Sequence, residues 1–188
     1  MIVLTVVAAA AIGAALWTLT EYVMHRFSFH HRGDGQLRRI IATEHTRHHR
    51  EPSATNFVLR LFGHAAVAML GLPLGFIIGA ITTPVFGLTL WASWALGYTA
   101  YEIGHWRLHH RAPRTAAALR RRVRHMSHHG VNAATNFGVS LDFWDRVFST
   151  AAPGGPVELA ASLAPRWLVE NPSAYAPLVL RDSQRTPS

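Results

Sequence analysis

The sequence contains no cysteine, which excludes disulfides, iron–sulfur clusters and thiolate metal ligands. It contains no lysine either, so all 18 basic side chains are arginines. Acidic residues number only 10 in 188, and the formal net charge is +8 with histidine neutral. A basic balance of this kind points to nucleic acid or an anionic membrane as partner. Charge is also missing from long stretches: Ile2–Thr20 carries none, and no arginine occurs between Leu61 and Tyr101. These gaps decide for the membrane and against nucleic acid. The length, 188 residues, is that of one domain.

Ile2–Thr20 is long enough to cross a hydrocarbon core of about 30 Å at about 1.5 Å per residue. A signal peptide would need a basic stretch ahead of its apolar run, and none precedes Ile2, so a retained transmembrane helix is expected. Phe57–Ile81 is a second apolar run, with Pro73 inside it, a residue that neighbouring helices accommodate in a membrane. Thr82–Pro84 makes a turn, and Val85–Ala100 is a third apolar run, so the last two form a helical hairpin. Seven arginines lie from Arg26 to Arg60 and the other eleven from Arg107 to Arg185. The positive-inside rule then places both of these regions in the cytoplasm, with the N-terminus and the 82–84 turn outside. The sequence thus predicts an all-α integral membrane protein of about three transmembrane helices plus short cytoplasmic helices. Residues 1–150 are expected to form the membrane-embedded domain, and residues 151–188 a Pro/Ser/Ala-rich C-terminal tail without evident chemistry. The run Arg120, Arg121, Arg122 and Arg124 faces either anionic headgroups, at about 1 kcal/mol per charge, or plain solvent.

Histidine is what the sequence has in excess. Thirteen occur, and only His64 stands alone, which gives it a structural reading. The others form four groups: His25/His30/His31, His45/His48/His49, His105/His109/His110 and His125/His128/His129. The stretch His45–Phe57 (H-T-R-H-H-R-E-P-S-A-T-N-F) recurs eighty residues later as His125–Phe137 (H-M-S-H-H-G-V-N-A-A-T-N-F). Seven of the thirteen positions are identical, which marks two copies of one structural unit. After a turn at Arg32–Gly35, a helix over Leu37–Arg50 carries the first copy, and Pro52 and Ser53 end it. Residues at i, i+3 and i+4 share a helix face, so each H-x-x-H-H triplet is expected to converge. The five-residue step from His25 to His30 implies that the first helix has already ended there. Imidazole suits iron, copper, nickel and zinc, and must be neutral to bind. More than six imidazoles exceed what one ion uses, so two metal ions are the economical reading. A metal carrier would place its ligands inside the spans near the midplane. A haem protein would pair two axial histidines within a helix bundle. Neither fits four clusters beside the spans.

The stretches E-Y-V-M-H-R-F-S-F-H, H-T-R-H-H, H-W-R-L-H-H, H-M-S-H-H and N-F-G-V-S-L-D-F-W-D-R-V-F-S-T resemble the fatty acid hydroxylase/sterol desaturase superfamily, and most closely its fatty acid 2-hydroxylase type. The resemblance covers Glu21–Thr150. It implies an integral membrane oxidoreductase with a histidine-rich dimetal centre, normally two iron ions, for which zinc can substitute in isolated protein. It also implies O₂ as co-substrate, two external electrons, and hydroxylation or desaturation of a lipid C–H bond, foremost on a fatty acyl chain. Sterols, hopanoids and carotenoids are the alternative substrates, and a non-catalytic metal-binding membrane protein is the rival class. Position by position, the implied ligands are His25, His30, His45, His48, His49, His105, His109, His125, His128 and His129, leaving out His31, His64 and His110. For the second copy the repeat offset favours His110, whereas helical spacing and the family pattern favour His109.

The sequence departs from the family in having no cytochrome b5-like stretch, fewer leading spans, and F-S-T where F-G-T is usual. The first departure implies a separate electron donor, a ferredoxin or a cytochrome b5-like protein. Glu21, Glu44, Glu102, Asp142 and Asp145 lie beside the histidine groups and either hold the outer ring N–H of a ligand or are ordinary helix-end charges. Asn56 and Asn136, equivalent in the repeat, hold a metal-bound water or form turns. Phe143 and Trp144 are expected against the bilayer surface, with Tyr22 and Tyr101 as interfacial aromatics.

Overall fold

The computed structural model describes residues 1–30, 36–52 and 57–181. The expected turn at Arg32–Gly35, and with it His31, Ser53 and Asn56, lies outside the described residues. Helices dominate: α1 (Ile2–Met24), α2 (Gln36–Arg50), α3 (Phe57–Ile81), α4 (Pro84–His110), α5 (Ala116–Gly130), and the short α6 (Phe143–Val147) and α7 (Arg166–Glu170). Two three-residue strands, β1 (Val157–Leu159) and β2 (Leu178–Leu180), pair in parallel with Val157 opposite Leu178. The helix boundaries follow the sequence logic: α3 runs through Pro73, and Thr115 caps α5 by accepting from the Ala118 amide at 3.1 Å.

Two compact units result, one of Met1–Glu21 and Thr55–Ile103, the other of Tyr22–Ala54 and Gly104–Ser188. In the first, Trp17 is the centre of an aromatic cluster, with Tyr98 at 5.1 Å, Trp94 at 5.7 Å and Tyr101 at 5.9 Å between ring centroids. Polar atoms there find partners on apolar helices: Trp94 Nε1 donates to Thr20 Oγ1 at 3.1 Å and Ser93 Oγ to the Ala10 carbonyl at 2.7 Å. Helices α3 and α4 approach backbone to backbone, since a Cβ on Gly87 would collide with Gly75 and Gly79 main-chain atoms. Such small-residue contact is how helices pack where no hydrophobic force separates them from lipid. His64 packs against Tyr98 in this unit, with tilted rings and centroids 4.6 Å apart.

Among the described residues, two helical stretches are long and apolar enough to cross a membrane, Ile2–Phe29 and Phe62–Ile81. The third expected run lies in α4, which has the length, but its tryptophans, tyrosines, serine and threonines dilute its apolar character. In the second unit, residues beyond Thr150 form a small core. Val157, Leu159, Trp167, Leu168 and Leu178 bury against Met126 of α5.

Candidate metal centre

The first histidines are delivered by an irregularity at the end of α1. The helix runs past His25 as one π-helical turn over His25–Phe29 and ends there, so His30 stands just beyond it, as the five-residue step implied. A π turn closes i to i+5. His25 and His30 therefore come to the same side, with ring centroids 5.1 Å apart. Helix α2 brings His45, His48 and His49, the last turns of α4 bring His105 and His109, and α5 brings His125, His128 and His129.

These ten side chains form two groups of five. One holds His25, His30, His45, His49 and His128; the other holds His48, His105, His109, His125 and His129. Within each group the candidate ligand nitrogens all lie within 4.8 Å of one another. The H-x-x-H-H triplets do not converge as triplets. At about 100° per residue, positions i+3 and i+4 fall on opposite sides of position i. His45 and His49 thus enter the first group while His48 enters the second; His125 and His129 enter the second while His128 crosses to the first. The two groups adjoin where the His49 and His129 rings stack at 4.2 Å. His110 is in neither group and stacks on Trp106 at 4.9 Å. The helix therefore separates His109 from His110, as the spacing argument expected and the repeat offset did not.

The ring nitrogens point at one another. Nε2 of His45 lies 2.9 Å from Nε2 of His30 and 3.0 Å from that of His49, and His30 Nε2 lies 3.0 Å from His128 Nε2. In the second group, His48 and His105 Nε2 atoms are 3.0 Å apart and those of His109 and His125 are 2.8 Å apart. Burial, reinforced by neighbouring imidazoles, holds His45, His125 and His129 well below the usual histidine range and His49 down to about 2. His128, also buried, is lowered to about 4. All five are consequently neutral at pH 7, the form a metal requires.

Two backbone carbonyls set the tautomers. His25 Nδ1 lies 2.5 Å from the Phe137 carbonyl oxygen, and His128 Nδ1 lies 2.6 Å from that of Thr135. A carbonyl only accepts, so both Nδ1 atoms carry the proton and both Nε2 atoms present lone pairs. His25 Nε2 and both nitrogens of His129 are buried without a hydrogen-bond partner among the described residues. Converging lone pairs with too few protons between them are destabilising unless a cation sits among them. The donor set therefore fits a pair of imidazole-bound metal ions.

The loop bearing those carbonyls hangs on Asp145 of α6, which is fully buried. Its carboxylate accepts from the Phe137 amide at 2.8 Å, the Gly138 amide at 2.9 Å and Thr150 Oγ1 at 2.8 Å, with Arg124 Nη2 at 3.4 Å. Gly138 permits this approach, since a Cβ there would collide with the Leu141 carbonyl and lie 2.9 Å from Asp145 Oδ2. Asn136 adopts a left-handed conformation, φ 56°, which asparagine tolerates. Its amide bonds the Arg124 carbonyl and the Ala152 amide at 3.3 and 3.0 Å, so the turn role holds and its side chain is occupied. Ser149, at the position where the family usually has glycine, has φ 54°.

Other expected neighbours are placed differently. Asp142 pairs with Arg146 at 2.7 Å and more loosely with Arg124 at 3.8 Å, and Glu44 pairs with Arg47 at 4.0 Å. Tyr22 and Tyr101 are buried rather than interfacial, at 1% and 8% exposure. The Tyr22 hydroxyl has partners inside, Thr150 Oγ1 at 2.9 Å and the donating Arg26 Nη1 at 2.8 Å. Phe143 is exposed.

Residues 10–150 match the fatty acid hydroxylase family. The chain is 32% identical over 148 residues to a dihydroceramide fatty acyl 2-hydroxylase of Arabidopsis thaliana, covering 77% of this chain and 61% of the relative. It is 29% identical over 156 residues to the fatty acid 2-hydroxylase of Homo sapiens, covering 77% and 40%. A solved structure of full-length scs7p, in which only the hydroxylase domain is visible, is similar with a TM-score of 0.61 at 26% identity, covering 78% of this chain and 57% of that one. The chain thus spans between two fifths and three fifths of these relatives' own lengths. With the matched region taking in the π turn, both H-x-x-H-H helices and the Asp145 loop, the chain belongs to the fatty acid hydroxylase family.

Proposed function

We propose that this protein is a membrane-bound dimetal oxygenase that hydroxylates a fatty acyl chain drawn from the bilayer. The observation that carries the reading is the gathering of ten histidines into two groups of five, in a chain of this family. The relatives' names, dihydroceramide fatty acyl 2-hydroxylase and fatty acid 2-hydroxylase, support carbon 2 of an acyl chain as the position of attack. They favour hydroxylation over desaturation.

In this reading His25, His30, His45, His49 and His128 hold one ion, and His48, His105, His109, His125 and His129 the other. Two iron ions bound there supply the activation of O₂ for which no side chain has an equivalent. The overall balance is R–H + O₂ + 2 e⁻ + 2 H⁺ giving R–OH + H₂O. The chain's own part is to preorganise. Phe137 and Thr135 carbonyls keep the His25 and His128 protons on Nδ1, Asp145 fixes the loop that carries them, and burial keeps His45, His49, His125, His128 and His129 neutral.

Three spans, with α4 supplying the third, and a cytoplasmic metal site follow from the arginine distribution under the positive-inside rule. The membrane-embedded part is assigned to residues 1–150. The net charge of +8 suits an acidic electron donor, a ferredoxin or a cytochrome b5-like protein, as a matter of association. The test is mass spectrometry of lipids from a host expressing the chain under ¹⁸O₂. A 2-hydroxyacyl lipid carrying one ¹⁸O is expected. Unchanged lipids from a host that supplies both kinds of donor would count against the function.

A further inference from the structure

The residues after Thr150 lie beyond the matched family region, 10–150, and the proposed chemistry makes no use of them. We propose that this segment is a clamp for the second histidine group, with Trp167 as the positioning residue that fixes the last turn of α4. The proposal rests on the dimetal reading above.

The last carbonyls of an α-helix have no partner within the helix. Helix α4 ends at His110, so the turn most prone to fray is the one that carries His109. Two side chains from outside α4 close it. Trp167 Nε1 donates to the His109 carbonyl at 3.2 Å. Arg122 Nη2 donates to the Arg107 carbonyl at 3.0 Å and, with Nε, to that of Arg111 at 2.6 and 2.9 Å. The guanidinium is buried against the Trp167 ring, 5.8 Å from its centroid. A cation in that place also suits the negative end of the helix dipole.

The same segment holds α5. Met126 follows His125 in sequence but points the other way, fully buried in the core that Leu159, Trp167, Leu168 and Leu178 build. Leu119 and Val123 pack on that core from the same face of α5. One face of the helix is thus anchored in the segment while the other presents histidines. Four members of the second group, His105, His109, His125 and His129, stand on the two helices held in this way; the first group takes only His128 from them.

The test uses the full chain, Co²⁺ as the probe and the variant Trp167→Phe, which keeps an aromatic ring in the core and removes the N–H. The Co²⁺ equivalent lost in His125→Ala marks the second group. In chelator competition, Trp167→Phe should weaken that equivalent about tenfold, the low end of the range for an outer partner of a ligand, and leave the other unchanged. Backbone amides in 104–111 should exchange with deuterium several-fold faster, with those in 36–50 unaltered. Unchanged affinity at the second group overturns the clamp whatever the exchange does, and so does an equal loss at both groups, which marks general loosening. A wild-type chain that takes up fewer than two equivalents refutes the dimetal reading instead; the exchange rates then decide the clamp, and unaltered rates in 104–111 overturn it.

Discussion

Replacing Asp145 by asparagine isolates what one buried carboxylate contributes to the site. The residue is 0% exposed and accepts hydrogen bonds from the Phe137 and Gly138 amides and from Thr150 Oγ1, with Arg124 alongside. An amide side chain keeps one oxygen, so its NH₂ must face one of the two backbone N–H groups. One charge-assisted bond is lost and one buried donor is stranded, which together cost about 3–5 kcal/mol, the usual size for breaking a buried ionic network. At about 2–4 °C per kcal/mol for a chain of this length, the purified protein should melt about 6–20 °C lower. Displacing the Phe137 carbonyl also releases His25 Nδ1, so metal affinity should fall about 10–100-fold. Asp142→Asn is the internal control. It removes the same charge from the same helix end, but its bridges are to Arg146, with side chains 36% and 74% exposed, and more distantly to Arg124 at 3.8 Å, and surface pairs are worth about 0–1 kcal/mol. Melting and metal affinity equal in the two variants would refute the role given to Asp145.

Further outcomes follow from the same geometry. His109→Ala should lose about one metal equivalent per chain and His110→Ala none, read by elemental analysis of protein expressed with ample metal; the reverse would favour the repeat offset over helical spacing. The buried histidines have folded pKa values below the unfolded value of about 6.5, with His128 at about 4. The unfolded state therefore binds more protons in this window. Stability of metal-free protein should be full above about pH 6.5 and decline as pH falls toward about 4; a melting temperature that rises on acidification would contradict this. For topology, a cysteine at Thr83 in this cysteine-free chain should react with an impermeant reagent in intact cells and one at Ser162 should not. The opposite pattern would invert the proposed orientation.

Helices α2 and α3 were legible in the sequence because they are written in simple signals: a long apolar run for α3, and proline-bearing turns at 52–53 and 82–84 beyond the two helix ends. That twelve histidines cluster was legible from their number and spacing, and the family resemblance pointed to the ten that gather. Their partition was not, because sharing a face is a coarser statement than pointing at one ion, and i+3 and i+4 diverge by about 100°. The π turn at His25–Phe29 was hidden for a similar reason, since a five-residue step reads as a helix end unless an i to i+5 closure is allowed. Asp145 was visible as a carboxylate near the site, but its partners are backbone amides, which sequence does not display. The Phe137 and Thr135 carbonyls lie in the repeated A-T-N-F stretch, a signal that marked the place without naming the atoms. Trp167 and the core around it were obscured by a composition rich in proline and alanine, in which a few apolar residues at 157–159, 167–168 and 178 suffice.

Metal stoichiometry tests the central claim most directly. Purified wild-type chain, expressed with ample iron or reconstituted with Co²⁺, should hold two ions, and His45→Ala and His125→Ala should each hold about one. One ion or none in the wild-type chain, or two ions retained in both variants, would contradict a centre built from two groups of five histidines.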